Sequence, residues 1–325
     1  MIHIAIVGAA GYTGGEALEL LLDHPRFHVA VAQSHSQAGR AVWEVHPRLR
    51  GRTELVFQST VESDEVEVDA WVLCTGHGRA AAFVEEYAAA AAGKRIVDLS
   101  TDFRQNGDHG FVYGLPEAFA KTITGATRVA NPGCFATAIQ LALLPLAAEG
   151  LLQNPVAVTA VTGSTGAGQA PSPTTHFSWR ADNLSAYKPF DHQHLGEIRQ
   201  TLRHVADTDD ATLPPVHFVP IRGDFARGIF SVAQTPTELS QQRADELFAD
   251  FYGGARGNAG LTFAVTDNPD LQQVVRTNKA LVHPIVKGGQ LGVITMLDNL
   301  RKGASSQAIE NLNLMFGLER RVGLL

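Results

Sequence analysis

Cysteine is nearly absent. The 325-residue chain has two, Cys74 and Cys134, too few for a disulfide framework. Dense runs of Lys or Arg are also missing, and the formal net charge is −7. That balance excludes an extended nucleic-acid surface, although single arginines can still serve a small anion. No apolar stretch is long enough to cross a bilayer. The apolar start "IHIAIVG" is too short, and no basic flank, hydrophobic core and cleavage site follow one another there. We therefore expect a soluble, cytoplasmic protein with reduced thiols and no membrane partner. No set of Cys, His and Asp stands at metal spacing around His192 and His194, so no metal is expected. Internal repeats and low-complexity tails are lacking as well.

What remains is a composition with 45% hydrophobic and 18% charged residues and 31 glycines. This length suits about two domains with ample cores. Residues 2–7 read as a buried strand, followed by a glycine turn and a helix over 14–23 that His24-Pro25 ends. "FHVAVAQS" is the next strand, "DAWVLCTG" a third and "RIVDLS" a fourth, with the alanine-rich helix 80–93 between the last two. This is the opening of a doubly wound α/β sheet. After Pro132 the character changes. An apolar helix over 133–150 leads to "NPVAVTAVTG", then to a Gly, Ser and Pro loop over 163–175. "VHFVPIR", "GIFSVAQTPTEL", "LTFAVTD" and "LGVITMLDNL" are β-like, and an amphipathic helix lies over 238–254. A second domain with a mixed or antiparallel sheet and helices on one face follows, and the chain ends in a helix over 303–317.

The turn Gly8-Ala9-Ala10-Gly11-Tyr12-Thr13-Gly14 links strand to helix. Its glycines permit a close approach of backbone to a pyrophosphate, and the helix N-terminus offers N–H groups and a positive dipole end. The end of the second strand reads Gln33-Ser34-His35-Ser36-Gln37-Ala38-Gly39-Arg40, with no acid to hold a ribose diol. Hydroxyls, a histidine and an arginine suit a 2′-phosphate, which points to NADP.

Cys134 opens a helix directly after Pro132-Gly133, where the dipole favours a thiolate and N–H groups can hold an oxyanion. Cys74, inside "WVLCTG", reads as a small buried hydrophobe. In "FDHQHLGEI", either His192 or His194 could serve Cys134 as acid–base partner. Glu197, three residues past His194, could orient it on a helix. Ser100-Thr101-Asp102-Phe103-Arg104 follows the fourth strand, where ligands collect in such sheets, so Arg104 could meet a substrate phosphate.

The segments "GAAGYTGGEALELLLDHP", "DLSTDFR", "YGLPE", "NPGCFATAIQLALLPL", "AYKPFDHQHLGEI", "FVPIRGDFARGIF" and "LDNLRKGASSQAIENLNLMFG" occur in that order over nearly the whole chain. In these the sequence resembles the N-acetyl-γ-glutamyl-phosphate reductases of arginine biosynthesis, within the aspartate-semialdehyde dehydrogenase-like group. The resemblance implies a Rossmann-type NADP(H)-binding domain over 1–132 with 300–325, and an α+β catalytic and oligomerisation domain over 133–299. It implies Cys134 as nucleophile, His194 as catalytic histidine and Glu197 as its partner. Gly8, Gly11, Tyr12, Thr13, Gly14, Ser34, His35, Ser36, Gly76 and Asn299 would bind the cofactor, Asn299 near the nicotinamide. Ser100, Arg104, Asn131, Gly166 and His192 would line the acyl-phosphate pocket. A homodimer or homotetramer is implied. The chain departs from the family pattern at Gln169, where a basic residue is usual, and at Thr75-Gly76-His77-Gly78. The segment "PSPTTHFSWRADNLSAYK" also differs from the commonest members.

The expected reaction is reduction of an acyl phosphate to an aldehyde through a Cys134 thioester. The N-succinyl analogue of the substrate is the first alternative. A reductase of aspartyl phosphate, or of a carrier-linked acyl phosphate, is the next, though an acidic chain shows no basic docking patch for a carrier. An NADP-sensing regulator would not need Cys134 and His194, and a thiol hydrolase would leave the glycine loop unexplained.

Overall fold

A computed structural model describes residues 1–63, 66–105, 108–209, 212–253 and 260–325. The chain divides into two units, Met1–Pro132 with Ala304–Leu325, and Gly133–Gly303. In the first unit, β1 (Ile2–Val7) feeds the glycine turn and α1 (Tyr12–Leu22), and β2 (Phe27–Gln33) follows. Then come α2 (Val42–Val45), β3 (Ala70–Leu73), α3 (Ala80–Glu86), α4 (Ala88–Ala91), β4 (Arg95–Asp98), β5 (Val112–Tyr113), α5 (Pro116–Thr124) and β6 (Arg128–Ala130). The six strands are all parallel, in the order β2-β1-β3-β4-β6-β5. Sheets covered on both faces need strands apolar on both, and Ala5, Val7, Trp71, Leu73 and Ile96 meet in one buried cluster. The strand order reverses between β1 and β3, so the carboxyl ends of these two strands frame the crevice where such sheets take ligands. The helix expected over 80–93 is broken at Tyr87, which has φ −102° and ψ 27°.

The second unit begins with α6 (Cys134–Ala148) and continues through β7 (Val156–Thr162), α7 (Phe177–Arg180), β8 (Ser185–Ala186), α8 (His194–Ala206), β9 (Val216–Arg222) and β10 (Ile229–Pro236). It closes with α9 (Gln241–Tyr252), β11 (Thr262–Ala264), β12 (Ala280–Lys287) and β13 (Gln290–Leu297). The seven strands run β11-β12-β13-β10-β7-β9-β8, with β7–β9 and β11–β12 parallel and the other pairs antiparallel. α6 is apolar on all sides because it is buried on all sides: Phe135 to Ala147 are buried, between the sheet and helices α8 and α9. On β7 the alternation is plain, with Val156, Val158 and Ala160 buried and Ala157 and Thr159 exposed.

A π-turn over Arg301–Ser305 precedes α10 (Ser306–Met315), which packs on α1, α5 and β4 of the first unit. The second unit extends to Gly303, beyond the end expected at 299. The Asp298 carbonyl accepts the N–H groups of Arg301 and Gly303, so these residues close a turn on β13's own extension. Among the described residues, no helix is long and apolar enough to cross a membrane.

Candidate active site

In the first unit, the glycine turn is shaped by what a side chain would hit. Gly8 has φ +73°, and a Cβ there would stand 2.7 Å from the Cys74 carbonyl oxygen. A Cβ at Gly14 would stand 2.6 Å from the Ala9 Cα. The turn is held open by Gln33, whose Oε1 accepts from Gly8 N–H at 3.1 Å while its carbonyl accepts from Ala9 N–H at 2.8 Å. His46 Nε2 donates to the Ala9 carbonyl at 2.8 Å. Gly11 is the N-cap of α1, with no side-chain cap and no acid in the first turn. Backbone N–H groups and the positive helix end therefore face an anion without competition from a cap, and Tyr12 and Thr13 open the helix there. Beyond β2, Ser34 is buried, and its Oγ lies 3.5 Å from that of Ser36, while His35 and Gly76 are exposed. A turn that only glycine can make, an uncapped helix start and hydroxyls in place of an acid fit a dinucleotide with a 2′-phosphate.

Below the crevice, Asp98 ends β4 fully buried, and burial pushes its carboxyl up to about 6 despite hydrogen bonds from the Ser100 N–H and Oγ. Asp102 behaves in the opposite way. Burial opposes its ionisation, but the N–H groups of Gly78, Ala81 and Ala80, with the Ser100 hydroxyl, hold it below the usual carboxylate range. Arg104 is buried. Its Nε donates to the Asn131 carbonyl at 2.8 Å and its Nη2 to the Leu99 carbonyl at 2.7 Å. The Asn131 amide donates to the Ala304 carbonyl at 3.1 Å and accepts from Asn311 at 3.0 Å. Ser100, Arg104 and Asn131 thus fix the ends of β4 and β6.

In the second unit, Cys134 stands half-buried at the first position of α6, with no acid in that turn. His194 opens α8 on a neighbouring helix. Glu197 joins the two helix starts. Its Oε2 accepts the Gly133 N–H at 2.9 Å, and its Oε1 lies 3.8 Å from His194 Nε2. The His194 ring lies against the backbone of Gly133, where a Cβ would come within 2.5 Å of Cε1. Gly303 meets the nucleophile from the other side, and a Cβ there would be 2.9 Å from the Cys134 Cβ. His192 is boxed by the rings of Phe135, Tyr187 and Phe218 at 5.4–5.8 Å. Burial first, and then the Lys188 charge, lower its pKa to about 4. Neutral at pH 7, it accepts the His194 backbone N–H on Nδ1 at 3.2 Å.

Asn299 holds the glycine and serine loop rather than standing loose: its Oδ1 accepts from Gly228 N–H at 2.7 Å, and its Nδ2 donates to Thr165 Oγ1 at 3.0 Å. Gly166, beside Thr165, is exposed. Neighbours that the sequence does not single out are Tyr187 and Arg222. The Tyr187 hydroxyl is raised to about 12, by burial first and then by the charge of Cys134. Tyr187 shares the short polar segment of His192 and His194, which was a usable signal; Arg222 ends a distant strand and carried none. Among the described residues, no group of three or more His, Cys, Asp or Glu could hold a metal ion.

Two family models match this chain: the semialdehyde dehydrogenase NAD-binding domain over residues 3–126 and the semialdehyde dehydrogenase dimerisation domain over 134–299. The N-acetyl-γ-glutamyl-phosphate reductase of Parabacteroides distasonis is 46% identical over 325 residues, covering 100% of this chain and 98% of that protein. The enzyme of the same name from Phocaeicola vulgatus is 45% identical with the same coverage. Among solved structures, aspartate semialdehyde dehydrogenase II of Vibrio cholerae aligns with a TM-score of 0.74 at 18% identity, covering 98% of each chain. The aspartate semialdehyde dehydrogenase of Candida albicans with NADP also aligns at 0.74, with 12% identity and coverage of 97% and 98%. These two show a shared fold.

Proposed function

This chain belongs to the N-acetyl-γ-glutamyl-phosphate reductase family of the semialdehyde dehydrogenases, and from that premise we propose that it reduces N-acetyl-γ-glutamyl phosphate to N-acetylglutamate 5-semialdehyde and phosphate. The observation that carries this is the pair of neighbouring helix starts, with Cys134 on one, His194 on the other, and Glu197 hydrogen-bonded to the Gly133 N–H of the first and 3.8 Å from the imidazole of the second. The Cys134 thiolate attacks the acyl carbon, and phosphate leaves with the C–O bond electrons. Arg104 and Ser100 serve as phosphate ligands in this reading. The N–H groups at the start of α6 hold the carbonyl oxygen as it gains charge. The Gly8–Gly14 turn and the Ser34–Ser36 segment would hold NADPH, which when bound would supply the hydride needed to take the thioester to the aldehyde level. His194 accepts the thiol proton at the start and returns a proton to sulfur as the thiohemiacetal collapses. Glu197, 3.8 Å from the imidazole, fixes its position.

The open face of the second unit's sheet supports pairing with a second copy. Ile294, Val232, Thr159 and Val219 form one cross-strand row on the face away from α6. A homodimer through this face agrees with the family model's description as a dimerisation domain.

The deciding assay runs in reverse, following absorbance at 340 nm with N-acetylglutamate 5-semialdehyde, phosphate and NADP. We expect turnover in the parent and a loss of at least about 100-fold in Cys134→Ser, because the oxygen is a poorer nucleophile here. Parent-like turnover in that variant rules out the thioester. Faster turnover of the N-succinyl semialdehyde moves the assignment to that substrate.

A further inference from the structure

Carbonyl oxygens are a hazard in a turn that takes an anion, because they repel what the N–H groups attract. Two carbonyls of the Gly8–Gly14 turn are dealt with in different ways. That of Gly8 accepts the Gly11 N–H inside the turn at 3.1 Å. That of Ala9 leaves the turn and accepts from His46 Nε2 at 2.8 Å. A carbonyl can only accept, so the ring carries a proton on Nε2. The same oxygen lies against Gly14, where a Cβ would stand 2.7 Å from it. The Ala9–Ala10 peptide is trans, so its N–H, that of Ala10, points away from His46. This N–H makes no hydrogen bond with any described residue.

The chain fixes His46 from several sides. His46 follows α2, and Pro47 opens a short 3-10 turn whose buried Leu49 donates its N–H to the His46 carbonyl at 2.9 Å. Arg48 pairs with Glu19 at 3.3 Å and Arg52 with Asp23 at 2.7 Å, which ties this stretch to the length of α1. The buried Phe57 ring meets the imidazole edge-on, with centroids 6.1 Å apart. On the other side stands Gly15, inside α1, where a Cβ would be 2.6 Å from both Cε1 and Nδ1 of the ring. Glycine weakens a helix interior, and Gly15 is outside the positive-φ set. The ring, not the backbone, therefore accounts for its small size. The same stretch of chain also carries the segment after β2. Ser34 N–H donates to the Gln58 carbonyl and Gly39 N–H to the Phe57 carbonyl, each at 2.8 Å.

We propose that His46 is a positioning residue for the cofactor's pyrophosphate. It acts through the Ala9–Ala10 peptide, turning the carbonyl out of the anion's field and the Ala10 N–H toward the anion. The inference rests on the reading of the Gly8–Gly14 turn as the pyrophosphate site. His46 touches no part of the cofactor in this scheme. Its effect is confined to ligands that carry a phosphate at the turn, and the 2′-phosphate end is served by other residues.

The experiment is calorimetric titration of the protein with NADP and with adenosine 2′-phosphate, which lacks the pyrophosphate. His46→Leu fills the space without a donor. We expect it to raise Kd for NADP about 2- to 12-fold, the range of one hydrogen bond, and to leave Kd for adenosine 2′-phosphate unchanged. His46→Gln places an amide N–H near the Nε2 position and should restore the parent's affinity. Should the leucine variant not fold, His46→Asn repeats the test, because its amide stops short of the Ala9 carbonyl. Parent affinity for NADP in His46→Leu overturns the proposal. An equal rise for both ligands does so too, since it marks a general loosening of the unit, and so does a glutamine variant as weak as the leucine one. Gly11→Asp tests the turn itself. A Cβ at Gly11 meets nothing closer than the Gly8 carbonyl oxygen at 3.5 Å, and Asp is a favoured N-cap. Its carboxylate would occupy the helix start and repel phosphate, so NADP binding should be abolished. Parent affinity there removes the pyrophosphate reading and this inference with it, whereas loss there with parent affinity in His46→Leu removes the inference alone.

Discussion

Gly133 is the N-cap of α6, with φ −68° and ψ 150°. Any residue adopts those angles, and Ser, Thr, Asp or Asn is usually favoured there. The backbone does not require glycine; the His194 ring does, because a Cβ would lie 2.5 Å from its Cε1 and 2.6 Å from its Cδ2. Glu197 takes over the absent cap by accepting the Gly133 N–H. Gly303 is likewise outside the positive-φ set, and its missing side chain leaves room for the Cys134 Cβ. We expect Gly133→Ala to lower kcat about 100-fold by displacing the imidazole, with KM for NADP unchanged. In a His194→Ala background the same change should have little further effect, because the ring it strikes is gone. Additive losses in the double variant would place the effect of Gly133 elsewhere. Cys134 at a helix start and the polar segment of His192 and His194 are both readable in the sequence. The reason for Gly133 is not, because it depends on a ring that the chain brings back only through α8. Arg222 is hidden for the same reason, since only the β8–β9 register brings it to Tyr187.

Elements were legible in proportion to how far local pattern decides them. β1, its glycine turn and α1 form a local unit whose apolar spacing and breakers are self-sufficient, and β2, β3 and β4 repeat that logic. β5 and β6 are two and three residues long, too short for any periodicity. β12 escaped for another reason. It contains Pro284, which argues against a central strand because proline cannot donate to a ladder. β11 pairs only with Ala280–Val282, so Pro284 lies past its end, where no neighbour on that side asks for its N–H. The sheet of the second unit also gives a prediction at this scale. Val232 lies in the middle of the open row, between Ile294 and Thr159. An arginine there points a charge into any surface packed on that face. We expect Val232→Arg to shift sedimentation from dimer to monomer while the far-ultraviolet circular dichroism stays that of the parent. A parent-like dimer would move the interface away from this face.

The C-terminal tail belongs to the first unit and packs within it. α10 packs on α1, α5 and β4, and Arg320 binds Glu117 at 3.2 Å and Glu310 at 2.7 Å in a buried cluster. His24, at the end of α1, holds the last residues. Its Nδ1 accepts the N–H groups of Arg26 and Phe27, so Nε2 carries the proton that reaches Asn313 Oδ1 at 3.1 Å and the Val322 carbonyl at 3.0 Å. The Gly323 backbone lies on the ring, where a Cβ would be 2.9 Å from Cγ. Burial lowers the pKa of His24 from its ordinary 6.5, outweighing its two acceptors. The sign follows from linkage: with the folded value below the unfolded one, the neutral ring's contribution is complete above pH 6.5 and is lost as pH falls toward the folded value. His192, lowered to about 4, acts in the same direction. Asp98, raised to about 6 from 3.8, acts in the opposite one, because its protonated form suits the fold and its contribution is complete only below 3.8. Two histidines against one carboxyl should leave the protein less stable at pH 5 than at pH 7.5. His24→Asn keeps an acceptor near the Nδ1 position but cannot take up a proton. That variant should melt lower than the parent at pH 7.5, because it loses the contacts to Asn313 and Val322. Its Tm should then fall less steeply between pH 7 and pH 5, and hydrogen exchange at Val322 should be fast and independent of pH over that range, after correction for the intrinsic rate. A variant whose Tm falls with the parent's slope would show that His24 does not titrate as the tail's anchor.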